Sequence, residues 1–208
     1  MTTPKEQISK PGESTPTPLP EPKKITIPRT PVGSPFGFTV LDWENVTHRV
    51  HDVSKLYVVF GYQFKSRYYN TKKLKKNMQS IFQKVVEQYS SSPSSLDTQI
   101  RLEFKNLASG YGDHLFNKIA GDIISLDIAV FETSDLNPNV MIEMGVALTW
   151  DIRVLPIKRK RRPKPPSDIS GQTWADYTID GLKFSDEDHE DKLVTMVENA
   201  IQKKRTRS

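Results

Sequence analysis

Asn139 and Glu143 stand four residues apart in the stretch Asn137-Pro138-Asn139-Val140-Met141-Ile142-Glu143-Met144-Gly145. In a helix that spacing puts the amide and the carboxylate on one face. The stretch carries the signals of a helix start. Asn137 can cap, and Pro138 suits the first helical position because it has no N–H to leave unpaired. Val140, Met144, Ala147 and Leu148 recur at helical spacing and form an apolar face. Gly145 is costly inside a helix unless something must approach closely. Just upstream, Ile128 to Phe131 is an apolar run of buried-strand length, followed by the polar turn Thr133-Ser134-Asp135-Leu136. A helix start presents free backbone N–H groups and a positive dipole end, which suit phosphate or sugar oxygens. The result is a small polar floor with one carboxylate, placed where a strand ends.

The elements that must position this floor are drawn from a chain of 208 residues, enough for one ordinary domain plus tails. There is no cysteine, which excludes disulfides and thiolate metal sites. No apolar run approaches the roughly 18 residues of a membrane helix, and the N-terminus has no apolar signal core. The expectation is a cytoplasmic protein without a membrane partner. The net charge of +5 is unevenly spread: Lys158–Lys164 carries six positive charges and residues 203–207 carry four. A nucleic-acid surface would spread its cations over a face with interleaved aromatics, so nucleic acid is disfavoured as a partner.

Residues 1–35 hold nine of the fifteen prolines, mixed with Ser, Thr, Glu and Lys. Such a composition cannot bury enough apolar surface to offset chain entropy, so a disordered tail is expected there and one folded domain over 36–208. Phe36, Phe38, Val40 and Leu41 suggest a short edge strand, with Asp42 or Asn45 capping a short helix. His48 and His51 lack the further ligands of a metal site, and none is expected. Leu56–Phe60 reads as a buried strand, followed by the loop 61–67. Leu74, Met78, Ile81, Phe82, Val85 and Val86 mark a long amphipathic helix ending near Ser90. Ile100, Leu102 and Phe104 alternate as a second strand. Gly110-Tyr111-Gly112 is a turn rather than a phosphate cradle, since a lone Gly-x-Gly is weak. Asp113 opens a helix with Leu115, Phe116, Ile119 and Ile123. After the central strand–turn–helix, Ile152–Ile157 is a fourth strand, and the basic run reads as an exposed loop. Tyr177–Ile179 suggests a short fifth strand. Ser185 caps a last helix whose core face is Leu193, Val194, Val197 and Ile201.

Strands alternating with helices, with apolar strands covered on both faces, argue an α/β doubly wound sheet of about five mostly parallel strands. The flavodoxin-like order 2-1-3-4-5 is the natural expectation. In that order the first and third strands are neighbours, and their carboxyl ends form the ligand crevice. Tyr62, Phe64 and Arg67 then face Ser134, Asp135, Asn139 and Glu143. The aromatics can stack on a base and Arg67 can hold a phosphate.

The segment Asp127 to Ala147, with its Asn-Pro-Asn-Val-x-x-Glu-x-Gly spacing, resembles the strand–loop–helix of TIR-like proteins close to the nucleoside 2-deoxyribosyltransferases. The close match covers about a tenth of the chain. The resemblance implies that Glu143 is the catalytic carboxylate of an N-glycosidic-bond enzyme, that Asn139 contacts the sugar, and that Asp127 stands at the strand-leading Asp of the family. Two departures stand out. The strand-end acid, usually Asp, is Glu132, and Ser134-Asp135-Leu136 replaces the Thr-Gly that precedes Asn-Pro-Asn in many relatives.

Breaking a ribosyl–nitrogen bond builds positive charge on the sugar, which a carboxylate stabilises or captures. The nicotinamide of NAD is already cationic and leaves without a general acid, whereas a neutral purine needs a proton donor. With one well-placed Glu and no evident partner acid, the expected function is hydrolysis or cyclisation of NAD. NAD is then substrate rather than cofactor. The family implies a defence or toxicity role and self-assembly. The alternative is a non-catalytic module that senses a nucleotide or docks to partner chains.

Overall fold

The computed structural model describes residues 37–91, 99–107, 115–163, 174–178 and 183–207. The Pro-rich tail and the Gly110–Gly112 turn lie outside the described residues. Five parallel strands form one sheet in the order β2-β1-β3-β4-β5. They are β1 (Lys55–Gly61), β2 (Arg101–Asn106), β3 (Ile128–Glu132), β4 (Arg153–Arg159) and β5 (Ala175–Tyr177). The helices α2 (Thr71–Ser90), α3 (Leu115–Ile124), α4 (Pro138–Thr149) and α5 (His189–Arg207) cover the faces. The expected doubly wound α/β fold is the observed one.

Side-chain alternation sorts β1 between two cores. Leu56, Val58 and Phe60 pack with α2 and α5, while Tyr57 and Val59 pack against α3 and α4. Both faces are apolar because both are covered.

The first helix differs from expectation. Val40 and Leu41 open α1 (Val40–His51) instead of ending an edge strand. The Thr39 hydroxyl accepts from the Asp42 N–H, and Asp42 accepts the Thr39 N–H at 2.8 Å. This reciprocal box satisfies two N–H groups that would otherwise be unpaired. Phe38 and Trp43 then pack edge to face in the core below.

The basic run differs as well. β4 continues through Lys158 and Arg159, and Lys158 is buried against Asp176 of β5 at 2.7 Å. An exposed loop could not have placed that ammonium.

Asp127 lies at the amino end of β3, the opposite edge of the sheet from the crevice. Its carboxylate accepts the Tyr57 N–H at 2.8 Å and pairs with Lys204 of α5 at 2.9 Å. Lys204 also donates to the Lys55 carbonyl and lies over the Tyr57 ring. Asp127 therefore joins the last helix to two central strands and is not brought near the other candidate site residues.

A candidate active site at the tips of β1 and β3

Asn137 accepts the backbone N–H of Asn139 at 2.9 Å and that of Val140 at 3.4 Å, with Pro138 at the first helical position. This capped start turns Glu143 toward the carboxyl end of β1. The cap also reaches across the crevice, where its side-chain amide donates to Gln63 Oε1 at 2.9 Å. Sequence reasoning missed this bond, since Gln63 and Asn137 are 74 residues apart.

Gly61 is where close approach is required. A Cβ built there would lie 2.6 and 2.7 Å from two ring carbons of Phe131 and 3.2 Å from Glu143 Oε2. The bare backbone thus makes room for both the ring and the carboxylate. Gly61→Ala is expected to cost about 1–3 kcal/mol, because a methyl group must displace a packed ring. Urea unfolding checks the figure, and an unchanged midpoint would mean the strand tip yields freely. Gly145, in contrast, has nothing within 4 Å of where a Cβ would stand, so close contact does not account for it.

Glu143 is partly buried, and burial pushes its carboxyl up to about 7. Among the described residues no hydrogen bond or ion pair engages that carboxyl. Asn139 is exposed one turn earlier on the same helix. Asp135, in the turn before the helix, has a buried Oδ2 with no hydrogen-bond partner. A buried oxygen of this kind is costly unless a donor arrives. On the facing loop, Tyr62 packs between Phe60 and Phe64, at 5.1 and 5.7 Å between ring centroids. Phe64 is 67% exposed, enough to offer a ring face to a ligand. Arg67 is exposed, with its guanidinium 5.8 Å from the Tyr68 ring centre.

Ser134 is placed differently from the open crevice position expected. It is fully buried, its hydroxyl donating to Glu132 and accepting the Arg159 N–H at 2.8 Å. Both of these roles serve the loop itself, so this hydroxyl is not presented to a ligand.

Glu132 is a second unusual carboxyl, on the α2 side of the sheet. It accepts from the Ser134 N–H at 3.2 Å and from the Tyr177 hydroxyl at 2.9 Å, and Tyr69 bonds it as well. Burial outweighs these bonds and pushes its carboxyl up to about 7. The same burial raises the Tyr69 and Tyr177 hydroxyls. The signal in the sequence was an acid closing a fully apolar strand.

These two carboxyls set a pH dependence of stability. Each binds its proton more tightly folded than unfolded, so its contribution is full below the unfolded value near 4.5 and is lost as pH rises through about 7. His189 opposes them at lower pH. Its ring is stacked on Phe184, and burial pulls it down to about 4, so its contribution is lost as pH falls from 6.5. Above 6.5 only the carboxyls act. A net loss of about 1 kcal/mol between pH 6.5 and 8 is expected after allowance for solvent screening. Denaturant midpoints at the two pH values check this, and a rise in midpoint would contradict it.

Two larger cavities bounded by described residues lie elsewhere. One of about 490 Å³ separates α1 from α3 beside the Arg49–Asp122 ion pair. The other, about 440 Å³, lies between α2 and the start of α5. Among the described residues no group of three or more metal-ligating side chains occurs, and no helix is long and apolar enough to cross a membrane. No protein-family model matches the chain, and no curated protein matches it.

Proposed function

We propose that the chain cleaves the N-glycosidic bond of a nucleotide, with NAD the best-suited substrate and Glu143 as the catalytic carboxylate. One observation carries the reading. An unpaired, partly buried carboxyl lies over a glycine at the tips of β1 and β3, where the strand order reverses. Ligands of open α/β sheets bind at such a reversal. The resemblance of residues 127–147 to the deoxyribosyltransferase-like and TIR-like motif supports the same residue.

The chemistry follows from placement. As the ribosyl–nitrogen bond lengthens, positive charge grows on the anomeric carbon and ring oxygen. The Glu143 carboxylate stabilises that charge more strongly than a solvated group would, because fewer waters screen it. It can also form a covalent glycosyl ester, which water or an internal nucleophile then resolves as hydrolysis or cyclisation. Asn139 and the orphan oxygen of Asp135 supply an amide and an acceptor for ribose hydroxyls. Nicotinamide leaves as a neutral base, because the electron pair of the breaking bond cancels the positive charge of its ring while the sugar takes up the cationic charge, so no acid is required. This reading places the protein in the cytoplasm with the nucleotide pool, acting in defence or toxicity and working through self-assembly.

The ionised carboxylate is the active form, so kcat/KM is expected to rise with pH through about 7 and level off above it. A profile that falls across this range would exclude the role. The direct test incubates the protein at high concentration with NAD and with a mixed nucleotide pool, and follows products by mass spectrometry. Equal product from wild type and Glu143→Gln would refute the assignment. A second reading, nucleotide binding without cleavage, is favoured by one feature: no described side chain orients the Glu143 carboxyl. It predicts binding with no product under any incubation.

A further inference from the structure

The basic run leaves β4 as a tight turn rather than an open loop. The Arg162 N–H donates to the Arg159 carbonyl at 3.0 Å, and Arg161 between them has φ +69°. A left-handed backbone at a long side chain is unfavourable, and it persists only where surrounding contacts hold it. Here the contacts hold guanidinium groups. Arg162 lies over the Tyr68 ring at 3.8 Å to the centroid, and its Nε–H donates to the Ser134 carbonyl at 3.0 Å. Arg159 donates from Nη1 to the Tyr68 carbonyl at 3.2 Å. Arg67 approaches the same ring.

Three loops thus meet on Tyr68 and Ser134, at the same sheet end as Glu143. Among the described residues no carboxylate ion-pairs with Arg67, Arg159 or Arg162, and Asp135 on the adjoining loop pairs with none of them. The Nε of Arg162 is engaged with protein, and its Nη edge makes no bond to the described residues. Arg159 and Arg162 are half-buried and Arg67 is exposed beside them, and gathering like charges there without counter-ions is unfavourable unless an anion completes it. A guanidinium fixed by stacking and by one N–H presents its remaining edge as a preset fork, the geometry that holds phosphate oxygens in pairs.

We infer that Arg162, with Arg159 and Arg67, forms a phosphate-binding site, and that the ligand of this sheet end is a nucleoside diphosphate or dinucleotide rather than a free nucleoside. The orientation of that ligand rests on the glycosidase reading; its phosphate end does not. The tips of β1 and β4 are separated by two strand spacings, about 10 Å. A ribose carrying a 5′-pyrophosphate spans such a gap, with its anomeric carbon toward α4 and its phosphates toward the β4 turn. Arg67 is expected from the sequence to hold a phosphate; Arg159, which ends β4, and Arg162, in the turn after it, are added by the fold.

The test measures binding by calorimetry in the full chain carrying Glu143→Gln, so that cleavage cannot interfere. Adenosine, ADP and a single-stranded oligonucleotide are the probes. ADP is expected to bind at least ten-fold more tightly than adenosine. Adding Arg162→Gln should weaken ADP roughly ten- to a hundred-fold and leave adenosine unchanged, and Arg162→Lys should not restore ADP, since it lacks the fork. Arg159→Gln provides a second variant if Arg162→Gln unfolds, and should act in the same direction. Equal binding of adenosine and ADP, or ADP affinity indifferent to both arginines, would overturn the inference. So would an oligonucleotide that binds through these arginines more tightly than ADP. ADP binding without any NAD cleavage by the wild type would leave this site standing and remove the glycosidase, whereas cleavage of a phosphate-free nucleoside at full rate would do the reverse.

Discussion

Glu143→Gln is expected to lower NAD cleavage about a thousand-fold and, above pH 7, to make the protein more stable by about 1–2 kcal/mol. The two effects share one cause. Glu143 is raised to about 7 by burial, so its charged form is disfavoured in the folded protein. A neutral amide of the same shape removes that penalty. The gain should shrink as pH falls and vanish below about 4.5, where Glu143 is protonated in both states. Activity is lost because the amide carries no negative charge to meet the sugar cation. Paired measurements of turnover and of urea midpoints at pH 5 and pH 8 check both parts. A variant that is inactive but gains nothing at pH 8 would show that the carboxyl is not held in a desolvating site. A variant that gains stability and keeps activity would end the catalytic assignment while leaving the burial argument intact.

Lys204→Met is expected to destabilise the fold by about 3–5 kcal/mol, the usual consequence of removing one partner from a buried ion pair. The Lys204 and Asp127 side chains are 4% and 9% exposed, so neither charge has water to fall back on. Removing the ammonium takes from the buried Asp127 carboxylate the cation that balances it, while the Tyr57 N–H stays in place. Converting Asp127 to Asn in the same chain should recover most of the loss, since the amide oxygen can still accept that N–H and no charge remains. A double variant no better than the single one would show that Lys204 acts through contacts other than the Asp127 pair, among them its bond to the Lys55 carbonyl and its packing on Tyr57. The pair sits at the amino edge of the sheet, so the folded fraction should retain its turnover. A selective loss of turnover in folded Asp127→Asn would instead support a substrate-binding role for this strand-leading Asp.

Much of the frame could be read from neighbouring residues. The run Ile128–Phe131 and the Asn137–Pro138 start define β3 and α4, and alternating strands and helices led to the order 2-1-3-4-5. The first helix is legible too: Thr39 and Asp42 have capping-box spacing, a stronger local signal than the apolar pair Val40–Leu41. That pair is 49% and 65% exposed, so it faces outward and says nothing about the core.

Local patterning is enough to place β1 to β3, the Asn137 cap and Glu143 on the second turn of a helix that follows a strand, whereas Ser185 lies four residues ahead of α5 and does not cap it. Those placements depend on periodicity and hydrogen bonds within about ten residues of chain. Tertiary structure alone decided that Ser134 is consumed by Glu132 and Arg159, that Asp127 meets Lys204, that Lys158 turns inward to Asp176, and that Gly61 lies under Glu143. The Asp127–Lys204 pair spans 77 residues and the Gln63–Asn137 bond spans 74. Charge type and local spacing do not specify such partners. Burial does, because a charged or polar group cut off from water must find whichever complement the folded sheet brings beside it.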